Sequence, residues 1–196
     1  MDEFYIESFK PIIQNVGRYA GIPMLEIKFA SSDDVDSKMS IRDVIGQIDE
    51  HGFMNVLFTG EEPCRQYEAI EELCLYYSFK LNSKTLRFHL NSTANTIDTG
   101  DMLRQLSRRF YYMLFFPTTV EKAMFLHSFL VARWFEFINR SDIAAMLSAY
   151  DEDQRQLLDY VTMVIPAMKV VVEDPVELDD IKKFCIEKKL RMSVII

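Results

Sequence analysis

The first half of the sequence alternates between strand-like and helix-like hydrophobic patterns, and this alternation restricts the fold to the α/β class. Residues 23–30 alternate apolar and charged side chains, as a strand with one solvated face would. Ser40 then precedes an apolar stripe of helical spacing over residues 41–48, and Gly52 is placed to end that helix. Residues 55–59 form a short apolar run, typical of a strand covered on both faces. Repetition of these patterns predicts right-handed crossovers and a parallel sheet.

The pattern divides the chain into three parts. Residues 1–98 form an N-terminal α/β part, which also contains a helical pattern at 66–77 and a strand pattern at 85–90. Residues 99–162 have no clear strand pattern before their end, so we predict an all-α, aromatic-rich insertion. Its helices are predicted to begin near Asp101, Pro117 and Ser141, with another within 151–160. Residues 163–196 return to βαβ, with strands at 169–173 and 191–196 and a helix at 175–187.

Charge and cysteine content limit the classes of function. The formal net charge is −8, from 22 Lys+Arg and 30 Asp+Glu, which disfavours a general nucleic-acid binder because phosphates require a basic face. The 3 cysteines are odd in number and widely spaced, as expected in a reducing cytoplasm rather than in a disulfide framework. The start lacks a signal-peptide pattern, and the apolar stretches at 110–117 and 123–132 are too short to span a bilayer. We therefore expect a cytoplasmic protein without membrane association.

Aromatic residues are concentrated in the middle of the chain, next to a short basic strip. Ten of them lie between Phe110 and Phe137, directly after Arg104, Arg108 and Arg109. Three interpretations stay open: a hydrophobic core for the insertion, a protein-binding surface, or stacking on single-stranded nucleic acid through residues 104–116. The partner-binding candidates are Arg108, Arg109, Phe110, Tyr111, Tyr112, Phe115, Phe116 and Trp134.

Four segments, in order, resemble one known family. Residues 8–30 resemble the opening of 7-carboxy-7-deazaguanine synthases, which are radical S-adenosylmethionine (SAM) enzymes. Thr59-Gly-Glu-Glu-Pro63 resembles the radical-SAM turn whose backbone and Glu bind the SAM amino group. Residues 89–93 stand where the family has a Thr-Asn-Gly segment, and residues 169–194 resemble its last αβ unit. The resemblance covers about residues 4–95 and 163–195, and it implies an incomplete radical-SAM-like β/α barrel. The ligand-binding positions that it implies are Gln14, Gly60, Glu62, Pro63, Asn91, Ser92 and Thr93.

The sequence departs from this family at the residues that carry its chemistry. In the family, the loop after the first long strand holds three cysteines that bind a [4Fe–4S] cluster. The corresponding loop here, residues 31–39, contains no cysteine. We expect Cys74 and Cys185 to be buried on helices, whereas Cys64 follows the turn and can be exposed there. Val16 replaces an acidic residue of the family, Glu61 replaces a glycine, and the family's Mg²⁺-binding threonine has no counterpart.

These observations predict a pseudoenzyme without catalytic residues and without a cofactor. The leading hypothesis is a protein-binding or structural subunit of a larger assembly, with a protein partner or a second copy of the chain. The alternative is a protein of 7-deazaguanine metabolism that still binds SAM, a nucleoside or a pterin-like base without radical chemistry. Single-stranded nucleic-acid binding through residues 104–116 is a second alternative.

No metal site is predicted. The acidic loop at Asp33, Asp34 and Asp36 lacks the glycine and glutamate spacing of a calcium-binding loop. The histidines at positions 51, 89 and 127 have no partner at a metal-binding spacing.

Overall fold

The computed structural model describes residues 3–31, 34–80, 86–131, 141–147, 156–160, 169–172, 178–187 and 191–194. The chain divides into two compact units. The first unit contains residues 1–14, 21–92 and 96–113, and the second contains residues 15–20, 93–95 and 114–196.

The first unit is built on an open sheet with three helices. Its strands are β1 (Glu3–Ile13), β2 (Pro23–Phe29), β3 (Lys38–Ser40), β4 (Asn55–Gly60) and β5 (Arg87–Ser92). Its helices are α1 (Ile41–His51), α2 (Tyr67–Phe79) and α3 (Gly100–Arg109). The strand order is β3-β1-β2-β4-β5. The β2–β4 and β4–β5 pairs are parallel, with Ile27 opposite Phe58 and Leu57 opposite His89, whereas β1 is antiparallel to β2 and β3.

Helix α1 shows how the sequence sets the bounds of an element. The Ser40 hydroxyl accepts a hydrogen bond from the amide of Asp43, which satisfies one of the free donors of the first turn. Gly52 ends the helix in the left-handed conformation, with φ at 67°, and its amide bonds the carbonyl of Ile48. The buried face of the helix carries Val44 and Ile48. The predicted cap, stripe and stop are all confirmed.

Aromatic rings in mutual contact fill the core on the helix-covered face of this sheet. Phe58 lies at the centre, with ring centroids 5.6 Å from Phe29, 5.6 Å from Phe88 and 5.8 Å from Phe110. Tyr77 of α2 extends the cluster, 5.9 Å from Phe88. Such pairs each contribute about 0.5–1.5 kcal/mol beyond the area that they bury. The core therefore ties β2, β4 and β5 to the helices.

The second unit contains a second set of parallel strands. Its described elements are α4 (Val120–Val131), β7 (Ser141–Leu147), β8 (Lys169–Val172), α5 (Leu178–Glu187) and β9 (Arg191–Val194), and residues 156–160 are also helical. Strand β8 pairs in parallel with β7 and with β9, with Ala144 opposite Lys169 and Val170 opposite Met192. Strand β6 (Tyr112–Phe115) lies where the chain passes from the first unit to the second.

The α/β class with a parallel sheet is confirmed, but the all-α prediction for residues 99–162 is wrong at two segments. Tyr112–Phe115 and Ser141–Leu147 are strands, the second at a position where a helix was predicted to begin. The period of a short apolar run does not distinguish a buried strand from a helix. Ser141–Leu147 is a strand because it pairs with β8. The three-part domain boundaries stay a prediction.

Candidate functional site

The turn after β4 is the place where the family resemblance predicts a ligand. Gly60 has a φ of 92° and pairs with Phe29 of β2. A Cβ at Gly60 would stand 2.3 Å from the Phe29 carbonyl oxygen and 2.6 Å from its nitrogen. Both the backbone angle and the neighbouring strand therefore require glycine. The amide of Glu61 then donates to the same Phe29 oxygen at 2.9 Å, which sets the direction of the turn.

Glu62, Cys64 and Ser92 form a buried polar cluster at the carboxyl ends of β4 and β5. The Ser92 hydroxyl donates to Oε1 of Glu62 at 2.5 Å, and the Cys64 thiol donates to the Ser92 oxygen at 3.6 Å. Glu62 is only 8% exposed. Pro63 is also buried and starts the short 3₁₀ helix Pro63–Gln66. The carboxylate that the resemblance assigns to the SAM amino group is thus engaged inside the protein.

Backbone strain and a high thiol pKa accompany this cluster. Glu62 has φ at 22° and ψ at 80°, a conformation that costs a non-glycine residue about 1–3 kcal/mol. Burial raises the pKa of the Cys64 thiol well above its usual range, and the nearby Glu62 charge raises it further. Cys64 is therefore a protonated hydrogen-bond donor and not a reactive thiolate. The expectation that Cys64 can be exposed after the turn is wrong, because its side chain is buried.

The cysteines do not fit the [4Fe–4S] cluster that the fold family implies. Cys64 lies in the 3₁₀ helix, Cys74 in α2 and Cys185 in α5, and all are buried free thiols. Burial also raises the pKa of Cys74, to about 12, so the thiolate form is disfavoured there as well. A cluster needs several thiolates converging on one loop, and the loop at residues 31–39 has no cysteine.

A row of polar side chains lies on the face of β2, β4 and β5 opposite the aromatic core. Thr59 donates its hydroxyl to Oε1 of Glu26 at 2.9 Å, and His89 Nε2 lies 3.2 Å from Oδ1 of Asn55. Asn91 shares this face with His89 because side chains alternate along a strand. Its Oδ1 is buried and has no hydrogen-bond partner among the described residues.

His89 is the histidine of this row, and its pKa is strongly lowered. Its side chain is 1% exposed. Burial, with a smaller contribution from the positive charge of Arg87, lowers the pKa of His89 to about 4. The imidazole is therefore neutral near pH 7, and the Asn55 contact places its hydrogen on Nε2.

The other two predicted ligand positions, Gln14 and Thr93, make local turn contacts. Gln14 is buried, and its backbone closes a turn by donating to Ile22 at 3.0 Å and accepting from Gly21 at 2.7 Å. Thr93 belongs to the second unit, where its hydroxyl oxygen accepts from the amide of Asn95 at 3.4 Å. The structure thus joins Glu62 and Ser92 directly, next to Gly60 and Pro63, and sets Asn91 on the polar row.

The aromatic segment after α3 is mainly core. Phe110, Tyr112, Phe115 and Phe116 are all 4% exposed or less, so they are core residues, but Phe110 packs on Phe58 in the core of the first unit and not in a separate core of an insertion. Their assignment to a partner-binding surface is corrected, because buried rings are not accessible to a partner. Tyr111 alone of this run is exposed, at 38%. Trp134 lies outside the described residues.

The basic strip is partly neutralised within the protein. Arg104 pairs with Asp101 at 3.1 Å, and Arg109 pairs with Glu71 at 2.8 Å. Arg108 is exposed and has no ion pair within the described part of the chain. Base stacking needs exposed rings beside free cations, and this segment offers Arg108 and Tyr111 for that purpose.

The described residues contain neither a candidate metal site nor a candidate membrane span. In the regions that the structure covers, no group of three or more His, Cys, Asp or Glu side chains is arranged to hold a metal ion. No helix of the described ranges has the length and apolar character needed to cross a bilayer.

Comparison with solved structures supports the fold predicted from the motifs. QueE from Escherichia coli, a 7-carboxy-7-deazaguanine synthase of the radical-SAM superfamily, matches with a TM-score of 0.54 and 12% sequence identity. The match covers 98% of this chain and 94% of that chain. The fold is QueE-like.

Two structures of SuiB from Streptococcus suis match less well. With S-adenosylmethionine bound, the TM-score is 0.47 at 14% identity, over 80% of this chain and 44% of that chain. With the precursor peptide SuiA bound, it is 0.48 at 13% identity, over 99% of this chain and 47% of that chain. No protein-family model and no curated protein matches the sequence.

The sequence indicated part of this site. The motif resemblance found Glu62, Ser92 and Asn91, but it did not predict that Glu62 bonds Ser92 rather than facing outward. It also missed Glu26, Thr59 and Asn55. For Glu26 a signal was available: the alternation in residues 23–30 places it on the face opposite the core, and a charged residue in a central strand is unusual.

Proposed function

We propose that this chain is a non-catalytic protein of QueE-like fold that acts as a protein-binding or structural subunit of a larger assembly. The observation that carries the proposal is the placement of the cysteines, all buried and none in the loop at residues 31–39. Reductive cleavage of SAM requires an electron from a thiolate-bound cluster, and the hard chemistry belongs to that cofactor. An odd number of free thiols also supports a reducing compartment such as the cytoplasm.

Exposed apolar side chains support the protein-binding half of the proposal. Met54 and Tyr111 each directly precede a strand, and Ile13 ends the antiparallel β1. Ile22 precedes β2, and Phe79, at the end of α2, is 78% exposed. Because parallel strands begin at one edge of the sheet, Ile22, Met54 and Tyr111 share the amino edge, and a crossover helix such as α2 ends there too. Large apolar groups gathered at one edge are typical of an interaction surface.

Anaerobic reconstitution with iron and sulfide tests the loss of the cluster. We expect no stable visible absorbance after desalting, in the wild type or in Cys64→Ala, because the thiols are buried and dispersed. A four-iron spectrum with matching iron and sulfide content, lost in Cys64→Ala, would overturn this part of the proposal. A cluster-binding radical-SAM enzyme treated in parallel shows that the procedure works.

Light scattering of the pure chain and quantitative mass spectrometry of complexes purified from the native source test the assembly role. We expect either a defined oligomer or a partner at constant stoichiometry, and the doubly substituted Met54→Ser, Phe79→Ser chain should lose it. Met124→Ser is the matched control, since Met124 is also exposed but lies in the second unit. A monomer without a stoichiometric partner contradicts the assembly role.

A second candidate function is ligand binding without radical chemistry, and Asn91 favours it. A buried acceptor without a partner costs about 1–3 kcal/mol, which a donor from a heterocyclic ligand would recover. The adjoining Glu26, Thr59 and His89 give the same face further hydrogen-bonding groups. SAM, a nucleoside and a pterin-like base all carry suitable N–H donors.

Calorimetric titration with SAM, guanosine and pterin separates the two candidates. If the polar row binds a ligand, one of these compounds gives saturable heat that is lost in Asn91→Leu and kept in Ser78→Ala. Asn91→Leu should also stabilise the free protein, because it removes the unpaired oxygen. An absence of saturable heat with all three compounds rules against ligand binding at this face.

A further inference from the structure

A cavity of about 360 Å³ opens in the first unit, away from the turn at residues 60–63. The carboxyl-terminal half of α2, the start of β5 and the last turn of α3 form its walls. The lining includes Tyr77, Ser78, Lys80, Phe88, Arg108 and Arg109. Small-molecule sites are commonly about 300–1,000 Å³, so the cavity is large enough for a small ligand. It lies at the opposite end of β5 from Ser92.

The charge of this cavity is positive. Its lining contains Lys80, Arg108 and Arg109, and no carboxylate residue among those that the structure describes. Lys80 pairs with Asp49 at 2.7 Å and Arg109 with Glu71, so these two charges are balanced from outside the lining. The positive charge of Arg108 has no such counterpart in the described ranges. One net positive charge therefore remains in a chain whose overall charge is −8.

The groups around Arg108 are held in place by contacts within the protein. Arg109 donates from Nε and from Nη2 to the same oxygen of Glu71, at 3.0 and 2.8 Å, which fixes the plane of its guanidinium. Tyr77 donates its hydroxyl toward Asp49 at 3.0 Å, and its ring lies 5.3 Å from the Lys80 ammonium. The walls around Arg108 are therefore ordered before an anion binds, which lowers the entropy cost of binding.

The simplest alternative is that Arg108 only compensates the dipole at the end of α3. A basic residue in a last helical turn is stabilising for that reason alone. That account explains the position of Arg108 along the helix. It does not explain why Arg108 borders a cavity whose wall also carries the ring of Phe88 and the balanced cations of Lys80 and Arg109.

We propose that this cavity binds a small anionic molecule, whose phosphate or carboxylate group pairs with Arg108 and whose apolar body packs on Phe88. Guanidinium groups match both oxyanions through paired N–H donors. The proposal does not depend on the function proposed for the whole chain.

Calorimetric titration with inorganic phosphate, phenyl phosphate and benzoate tests this proposal. We expect saturable binding of phenyl phosphate or benzoate, tighter than that of inorganic phosphate and weaker at high salt. The tighter of the two aromatic anions identifies the oxyanion that the site prefers. Arg108→Gln should weaken binding about tenfold or more, as expected for the loss of a charge-assisted hydrogen bond.

Arg104→Gln is the matched control, because Arg104 is on the same helix but pairs with Asp101 and does not line the cavity. It should bind the anions as the wild type does. Amide chemical shifts of Ser78, Phe88 and Arg109 should move on titration of the wild type, a measurement that does not depend on any variant folding. The proposal would be overturned if the wild type and Arg108→Gln bound with equal affinity, or if none of the three anions bound saturably.

Discussion

Gly60 shows that a residue shared with a family motif can have a purely structural cause. The family resemblance places Gly60 among the ligand-binding positions of the turn. In this chain, however, the backbone of Phe29 already occupies the space of a Cβ, and φ is positive. The requirement for glycine therefore exists without a ligand, and Gly60 is no argument for SAM binding.

Gly60→Ala should destabilise the protein by at least about 2 kcal/mol, because it combines an unfavourable φ with a clash against backbone atoms. Gly46→Ala is the control. Gly46 is in the interior of α1 with no atom near its Cβ position, so alanine there should stabilise by up to about 1 kcal/mol. Urea unfolding of both variants measures the difference, and equal midpoints would contradict the crowding described for β2 and β4.

At the level of elements, the sequence predicted what local periodicity determines. Strand β2, helix α1 and strand β4 all lie within a residue or two of their predicted bounds, because alternation, capping and glycine stops are local signals. Strands β6 and β7 were missed, since short apolar runs acquire strand geometry from their neighbours in the sheet. The hydrogen bond between Glu62 and Ser92 could not be predicted from local patterns either, because 30 positions separate the two residues in sequence.

The aromatic segment offers a test of this core assignment. Phe115→Ala should destabilise the protein by about 3–5 kcal/mol, since Phe115 is fully buried in β6. Tyr111→Ala should cost about 1 kcal/mol or less, because that ring is 38% exposed, with the Arg87 guanidinium 4.6 Å and the His89 ring 5.7 Å from its centroid. Thermal and urea unfolding give both values, and similar losses for the two variants would argue against separate core and surface roles.

At the level of the whole molecule, the chain combines a QueE-like fold with a loop at residues 31–39 that contains no cysteine. Folding requires hydrophobic periodicity and turn residues, whereas catalysis requires a few side chains at defined points, so a shared fold does not by itself determine function. The QueE match at 12% identity shows that two very different sequences adopt a similar fold. The buried His89 ties the stability of this fold to pH.

Stability should fall as the pH is lowered from about 6.5 to about 4, in part because of His89. Its pKa is lowered from 6.5 to about 4 on folding, so in this window the unfolded chain binds a proton that the folded chain does not. Below about pH 4, the resulting loss in the free energy of unfolding reaches about 3 kcal/mol. Urea unfolding across this pH range should show a smaller loss for His89→Asn than for the wild type. An identical pH dependence would mean that His89 is not buried in its neutral form.

The outermost strand of the first unit has a consequence for how the protein behaves at high concentration. Strand β3 is only three residues long, and its exposed Lys38 pairs with Glu3. An incoming strand would find few free backbone groups there and would meet a charged side chain, a combination that discourages edge-to-edge aggregation. Because β3 pairs with β1 only at Glu3, Phe4 and Tyr5, this protection against fibril growth is confined to that end of the sheet margin.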